Sequence, residues 1–137
     1  MSDKLLLQEV HSNSPWKMMV CCILLNQTNR RQVDRVIDEL LARWPYSSIM
    51  AGIESKSETQ ELVDVLRPLG FQRRRATTLI RFSRDWCQGK LMAECYGIGP
   101  YALDSFRIFY LHDYSRFESG DKEIAAWLGR EGVLIGE

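Results

Sequence analysis

The sequence Cys95-Tyr96-Gly97-Ile98-Gly99-Pro100-Tyr101 is a Gly-apolar-Gly turn between two apolar segments of helical periodicity. Glycine lacks the Cβ atom that would hold the backbone away from a ligand. Pro100 suits the first position of the following helix, whose start carries the positive end of the helix dipole. The turn therefore predicts backbone N–H groups that can approach a phosphate. Many such turns only join two helices, so the residues at fixed distances around it decide its meaning.

Apolar residues recur at helical spacing along nearly the whole chain. The stripe that begins at Val33 follows the spacing i, i+3, i+4, i+7, i+8 and i+11, and it ends before Pro45. Shorter stripes occupy residues 62–69, 76–86, 102–110 and 124–128. Residues 16–26 are apolar on almost every side and predict a central buried helix, with Ser14 as its cap.

This organisation predicts six or seven helices joined by short loops and no strands. At 137 residues the chain has the length of one ordinary domain, so we expect a single all-α domain over residues 1–137. The turn at Gly97 would then lie inside a helix–hairpin–helix element of about residues 86–110, an element that binds the backbone of duplex DNA without reading bases.

Charge is balanced globally but not locally. Lys and Arg number 18, as do Asp and Glu, so net charge alone makes no case for nucleic acid. Residues 71–84 nevertheless contain five arginines and no acid. Arg73, Arg74 and Arg75 are the candidate phosphate contacts in this run. The competing interpretation is an ordinary solvated helix face.

The four cysteines form no metal-binding pattern. Cys21, Cys22, Cys87 and Cys95 contain no C-x-x-C pair, which argues against a zinc site or a cysteine-ligated iron–sulfur cluster. We therefore expect no metal and no other cofactor. The start of the chain has no signal-peptide pattern, and the apolar run 18–25 is far shorter than the roughly 20 residues of a membrane helix. These features predict a soluble intracellular protein, in the bacterial cytoplasm and nucleoid or the eukaryotic nucleus.

The hairpin and the aspartate at position 121 together resemble the helix–hairpin–helix DNA glycosylase superfamily. In that superfamily an aspartate lies beyond the hairpin, at the start of the next helix. Further stretches resemble the mismatch-specific thymine glycosylases, above all the catalytic domain of the methyl-CpG-binding group. They are Ser14-Pro15-Trp16-Lys17, residues 24–28, residues 66–71, Arg75-Ala76 and residues 97–109. The resemblance covers about residues 5–128, and it implies two helical lobes with the active-site cleft between them.

The resemblance places the catalytic aspartate of the superfamily on Asp121. Breaking an N-glycosidic bond builds positive charge on the sugar, which a nearby carboxylate stabilises. From local sequence alone, Asp121 is equally explained as a helix cap. Asp104 is the competing acid, but its place mid-helix beside Arg107 indicates a structural role.

Tyr101 occupies the position where bifunctional members carry a lysine that forms a Schiff base with the sugar. Tyrosine stands there in the thymine glycosylases, so we expect base excision without β-lyase strand cleavage. Tyr101 would contact the extruded base, with a core aromatic as the alternative. Lys122 adjoins Asp121 and is both a candidate pocket residue and the remaining candidate amine.

The resemblance also suggests which side chains open the DNA, since the target base must leave the duplex. Gln27 matches the polar side chain inserted into the vacated stack, although the relatives carry arginine there. Phe71 matches a leucine-type wedge, with a hydrophobic staple as the alternative. Gln8 matches a glutamine that contacts the pyrimidine edge. Glu123 stands where the relatives have lysine, which affects the fine structure of the pocket.

The sequence therefore predicts a monofunctional, metal-free glycosylase that removes thymine or uracil paired with guanine. Its partner would be double-stranded DNA, gripped by Gly97, Ile98, Gly99 and the arginines, with no membrane partner; a monomer is expected. One alternative is an adenine or damaged-base glycosylase of the same fold, which Gln27 also resembles. The other is a non-catalytic helix–hairpin–helix DNA-binding module.

Overall fold

The computed structural model describes residues 5–136, and within them the chain is helical without strands. The prediction of an all-α fold is confirmed. The described part of the chain forms eight α-helices. They are α1 (Leu7–Val10), α2 (Pro15–Leu25), α3 (Arg30–Arg43), α4 (Ser47–Ala51), α5 (Lys56–Leu66), α6 (Gln72–Cys87), α7 (Pro100–Ser105) and α8 (Lys122–Glu131). Short 3₁₀ turns cover Arg67–Leu69 and Met92–Glu94, and a π-helical segment covers Phe106–Tyr110.

The number of helices exceeds the predicted six or seven because two of them are very short. α1 and α4 contain four and five residues, too few to show a 3.6-residue repeat in the sequence. The longer apolar stripes predicted from the sequence lie in helices, among them α3, α5, α6 and α8. α3 begins with a reciprocal cap, in which Asn29 Oδ1 accepts from the Gln32 N–H at 2.9 Å and Gln32 Oε1 accepts from the Asn29 N–H at 3.0 Å.

The described residues divide into two compact units, each with its own core. The first unit combines residues 5–22 with residues 99–136, and the second is the continuous stretch 23–98. The chain passes from one unit to the other within α2 and again at the hairpin. None of the helices in residues 5–136 has both the length and the apolar character needed to cross a membrane.

The core of the first unit is formed by the start of α2, the π-helical segment and α8. Met18, Met19, Ile108 and Ile124 are fully buried there. Ser14 Oγ accepts from the Lys17 N–H at 3.3 Å, which confirms the predicted cap of α2. Phe109 and Trp127 pack edge-to-face with ring centroids 4.7 Å apart, and such a contact fixes α8 against the segment that follows α7.

The core of the second unit lies among α3, α5 and α6. The buried stripe of α3 faces Leu62 and Leu66 of α5, and α6 contributes Leu79 and Phe82. α6 extends to Cys87, so only its last two residues fall inside the predicted 86–110 element. The upstream arm of the hairpin is therefore the whole of α6, followed by a loop and the 3₁₀ turn Met92–Glu94.

Candidate active site

Asp121 is the residue immediately before α8 and caps it. Its Oδ2 accepts from the Ile124 N–H at 2.9 Å, while its own N–H donates to Ser119 Oγ at 3.2 Å. The carboxylate is half-buried. The local interpretation of Asp121 as a helix cap is confirmed, and a cap fixes the position of the carboxylate as a catalytic group also requires.

Asp104 is buried completely and organises the loop that leads to Asp121. Its Oδ1 accepts from Arg107 Nη2 at 2.6 Å, and its Oδ2 accepts from the Ser119 N–H at 2.7 Å. Oδ1 also accepts from the Glu118 N–H at 3.1 Å. The predicted structural role of Asp104 is confirmed, because its oxygens hold the backbone two and three residues before Asp121.

Tyr101 is joined to Gln8 across most of the length of the chain. Gln8 Nε2 donates to Tyr101 Oη at 2.7 Å and to Ser105 Oγ at 3.1 Å. Ser105 Oγ in turn donates to the Tyr101 carbonyl oxygen at 3.0 Å. Since the Tyr101 oxygen accepts from Gln8, its own proton is directed away from Gln8 and can donate to another group.

Gln8 therefore has a different role from the predicted direct contact with a pyrimidine edge. Its side chain is only 2 % exposed, and its amide nitrogen already donates to two hydroxyl oxygens. The amide orients Tyr101 instead of presenting its N–H groups to a base. No sequence pattern reveals this, because the two residues are 93 positions apart.

Burial sets the protonation of this cluster. It raises the pKa of Tyr101 well above its usual range, and the negative charge of Asp121 adds to the effect. Burial also raises the pKa of the Cys22 thiol to about 12, while a hydrogen bond with Ser105 acts in the opposite direction and Asp121 raises it further. The phenol and the thiol are therefore neutral at pH 7, so Tyr101 acts as a hydrogen-bond donor and Cys22 is no nucleophile.

Lys122 and Glu123 are both exposed, on the first turn of α8. Neither takes part in the hydrogen bonds that join Gln8, Tyr101 and Ser105. The assignment of Lys122 to the base pocket stays a prediction.

Gln27 and Phe71, in the second unit, share an unusual backbone conformation. Gln27 has φ of +60° and Phe71 has φ of +47°, values that side chains other than glycine adopt at a cost of roughly 1 kcal/mol or more. Both side chains are exposed, Phe71 by 60 %. A ring exposed to this degree buries little surface against α6, which disfavours the alternative of Phe71 as a hydrophobic staple.

The three candidate phosphate-binding arginines are not equivalent. Arg73 and Arg74 are exposed on the first turn of α6, as a phosphate contact requires. Arg75 is only 6 % exposed, and its Nε donates to the Gly70 carbonyl oxygen at 2.8 Å. The prediction that Arg75 contacts DNA is wrong. One residue along a helix is a rotation of about 100°, which turns Arg75 from the surface into the core.

The two hairpin glycines also differ. Gly97 has φ of +82°, and a Cβ atom there would lie 2.6 Å from Thr78 Cγ2, so the fold itself requires glycine. A Cβ atom on Gly99 would meet nothing within 4 Å. The space beside Gly99 is thus open, and the close approach of a phosphate there stays a prediction. Ile98, between them, is half-buried.

Asp85 and Arg81 of α6 hold the start of the hairpin, a role that no sequence pattern indicated. Asp85 Oδ2 accepts from the Tyr96 N–H at 2.8 Å, and Oδ1 accepts from Lys90 Nζ at 2.9 Å. The Arg81 guanidinium lies 3.9 Å from the centre of the Tyr96 ring. These contacts fix the backbone that leads to Gly97.

Within residues 5–136, no group of three or more His, Cys, Asp or Glu side chains is arranged to hold a metal ion. The four cysteines are free thiols, three of them buried and Cys87 exposed.

Several curated proteins are similar to this chain, among them the three described next, and no family model matches it. The Methyl-CpG-binding domain protein 4-like protein of Arabidopsis thaliana is 32% identical over 118 residues, which cover 85% of this chain and 26% of that protein. The Thymine-DNA glycosylase of Aeropyrum pernix is 31% identical over 96 residues, covering 64% of this chain and 41% of that protein. The Thymine/uracil-DNA glycosylase of Pyrobaculum aerophilum is 27% identical over 100 residues, with 66% and 42% covered.

The chain spans less than half the length of each of these relatives. The similarity to the Arabidopsis thaliana protein extends over most of this chain. These similarities confirm the predicted resemblance to the helix–hairpin–helix DNA glycosylases.

Proposed function

We propose that this protein is a monofunctional DNA glycosylase that removes thymine or uracil paired with guanine. The observation that carries the proposal is the cluster in the first unit, where Gln8 orients Tyr101 and the charge of Asp121 acts on Tyr101. A DNA-binding module needs exposed cations and a hairpin, but it has no use for this buried arrangement.

Asp121 would stabilise the positive charge that develops on the sugar as the glycosidic bond breaks. A carboxylate fixed in advance needs no reorganisation during the reaction, which is why such electrostatic contributions are large. The cap to Ile124 and the loop anchored by Asp104 hold it in place. The same carboxylate can orient the water molecule that attacks the sugar.

Tyr101 would recognise the extruded pyrimidine. Its hydroxyl accepts from Gln8 and keeps its own proton for donation, and a carbonyl oxygen of thymine or uracil is a suitable acceptor. A neutral phenol forms no Schiff base, so hydrolysis leaves an abasic site without strand cleavage. The exposed amine of Lys122 is the remaining group that could form a Schiff base, and strand cleavage through it would contradict this expectation.

Gln27 and Phe71 would keep the duplex open once the base has left it. Both side chains are exposed on left-handed backbone, and inserted side chains replace part of the lost stacking. Arg73 and Arg74, with the backbone at Gly97 and Gly99, would bind phosphates. The expected partner is double-stranded DNA with a mispaired or deaminated base.

The direct test is excision from duplexes that carry G·T, G·U, A·U or 8-oxoguanine·A, each analysed with and without alkali. We expect thymine and uracil to be released opposite guanine, with strand breaks only after alkali. Breaks without alkali would contradict hydrolysis by a monofunctional enzyme. Release of adenine alone would establish the adenine glycosylase alternative, and release of no base would overturn the enzyme in favour of a binding module.

Asp121→Asn is the decisive variant in this assay. Asparagine caps a helix as well as aspartate does, so the melting temperature should stay the same while excision falls by about 1,000-fold or more. Asp38→Asn, a change of an exposed carboxylate on α3, is the matched control and should leave excision unchanged. Full activity of Asp121→Asn would show that another group supplies the negative charge.

A further inference from the structure

One buried arginine connects the two loops that carry Gln27 and Phe71. Arg75 Nη1 donates to the Asn26 carbonyl oxygen at 2.9 Å, and its Nε donates to the Gly70 carbonyl oxygen at 2.8 Å. Longer bonds reach the Leu24 carbonyl oxygen at 3.4 Å and the Leu69 carbonyl oxygen at 3.5 Å. All of these atoms belong to the second unit.

Burying the Arg75 guanidinium is unfavourable enough to need an explanation. A guanidinium keeps its charge when buried, so removing it from water is unfavourable unless its N–H groups are satisfied. Here the acceptors include main-chain carbonyl oxygens of two loops, at Asn26 and Gly70, that are 44 positions apart in sequence. The planar fork of arginine suits this task, because its donors point in several fixed directions.

The carbonyl groups that Arg75 holds lie immediately before the two strained residues. Asn26 precedes Gln27, and Gly70 precedes Phe71. Only three non-glycine residues among 5–136 have positive φ, and two of them are Gln27 and Phe71. The Arg75 guanidinium also lies 5.9 Å from the centre of the Phe71 ring. Strain of this kind persists only where the surroundings enforce it.

We propose that Arg75 is a positioning residue that holds the Gln27 loop and the Phe71 loop as one rigid element, so that both side chains enter the DNA together. The proposal rests on the proposed function, since it concerns the step in which the target base leaves the duplex. Fixing both loops before binding removes the entropy loss that each would otherwise suffer on the DNA. A residue with no role beyond folding would stabilise the protein without linking the effects of Gln27 and Phe71.

The test measures base extrusion directly. A G·U duplex with 2-aminopurine beside the uracil becomes fluorescent when the neighbouring base unstacks, and an Asp121→Asn background prevents excision during the titration. Arg75→Met, which removes every donor, should reduce the extruded fraction at equilibrium by about tenfold. Arg75→Lys, which retains a charge but not the fork, should give an intermediate loss.

Arg84→Met is the matched control. Arg84 lies on the same helix and also donates to main-chain carbonyl oxygens, those of Ala51 at 2.9 Å and Ile53 at 2.6 Å. Its bonds hold a different loop, so its loss should change the extruded fraction by less than about twofold even where it lowers the melting temperature to the same degree.

A second measurement does not depend on how well Arg75 variants fold. If the two loops act as one element, Gln27→Ala, Phe71→Ala and the double variant should be non-additive in the extruded fraction, with the second change costing much less than the first. Additive effects would overturn the proposal, as would an unchanged extruded fraction in folded Arg75→Met. The reference protein in this assay keeps Gln27, Phe71 and Arg75. If it produces no fluorescence change on the G·U duplex, the proposed function fails, and this inference fails with it.

Discussion

The two units of this protein present their candidate functional residues in opposite ways. In the first unit, Gln8 is buried, Tyr101 and Asp121 are half-buried, and side-chain hydrogen bonds hold all three. In the second unit, Gln27 and Phe71 are exposed and stand on left-handed backbone. Groups that assist bond breaking benefit from partial burial, which strengthens electrostatic interactions, whereas groups that open a duplex must reach outwards.

Both arrangements depend on a buried charged side chain. Asp104 holds the loop before Asp121 through two backbone N–H groups, and Arg75 holds the loops of Gln27 and Phe71 through backbone carbonyl oxygens. A carboxylate accepts and a guanidinium donates, so each matches the backbone groups that its loop leaves unpaired. The difference between the units is therefore in the exposure of the functional side chain rather than in how its support is built.

The largest effect on stability is expected for Asp104→Ala. It leaves Arg107 buried without its closest partner and frees the Glu118 and Ser119 N–H groups, so the free energy of unfolding should fall by about 3–5 kcal/mol. Glu39→Gln removes an ion pair with Arg43 in which both side chains are about half exposed, and it should cost less than about 1 kcal/mol. Urea denaturation of both variants measures the difference, and equal losses would contradict a supporting role for Asp104.

Substitutions of the two hairpin glycines should separate an effect on folding stability from an effect on DNA binding. Gly97→Ala should lower the free energy of unfolding by about 1–3 kcal/mol, because alanine is strained at positive φ and its Cβ would collide with Thr78. Gly99→Ala should change stability by less than about 0.5 kcal/mol, since its Cβ meets open space. It should nevertheless weaken binding to duplex DNA, measured by fluorescence anisotropy. Unchanged binding would show that no phosphate approaches Gly99.

Tyr101→Phe tests whether the phenol acts through its hydroxyl group. The variant leaves the Gln8 amide with Ser105 as its remaining hydroxyl partner, which should cost about 1–2 kcal/mol of stability. Single-turnover excision of uracil should fall by about tenfold, corresponding to one lost hydrogen bond. Tyr110→Phe, in the same unit but 39 % exposed, is the control and should affect neither quantity. A similar loss in both variants would indicate a general effect of packing.

Local patterns in the sequence predicted most of the fold and the chemical role of some residues. The stripe of α3 and the Ser14 cap of α2 depend on residues a few positions apart, and so does the pairing of Asp104 with Arg107. Asp121 at the start of α8 is equally local. These features were predictable because helical geometry fixes which neighbours can meet.

Residues whose role depends on distant partners were not predictable in the same way. Gln8 meets Tyr101 from 93 positions away, and the sequence assigned it to the base instead. Arg75 was treated like its neighbours Arg73 and Arg74, although its spacing from apolar residues of α6 indicated burial. Arg75, Leu79 and Phe82 follow the spacing i, i+4, i+7 and form the buried stripe of α6, which the run of arginines obscured.

A much smaller effect than that of Asp104→Ala is expected for Asp85→Asn, a change at a carboxylate that makes the same kinds of bond near the surface. Asp85 also accepts from a backbone N–H, that of Tyr96, and pairs with Lys90, but its side chain is 18 % exposed rather than buried. The hydrogen bond from Lys90, followed by that from the Tyr96 N–H, lowers the pKa of Asp85, so its ionised form stabilises the fold.

Because the pKa is lower in the folded state than in the unfolded chain, this stabilisation is present above the unfolded value of about 3.9 and disappears as the pH falls through the folded value. Asp85→Asn should therefore be less stable than the parent by about 1 kcal/mol or less at pH 7, and the difference should shrink as the pH falls below about 3.9 and through the lower folded value. Urea titrations at pH 7, 5 and 3 measure it. A loss at pH 7 as large as that of Asp104→Ala would mean that the bond to the backbone, and not burial, sets the cost of removing such a carboxylate.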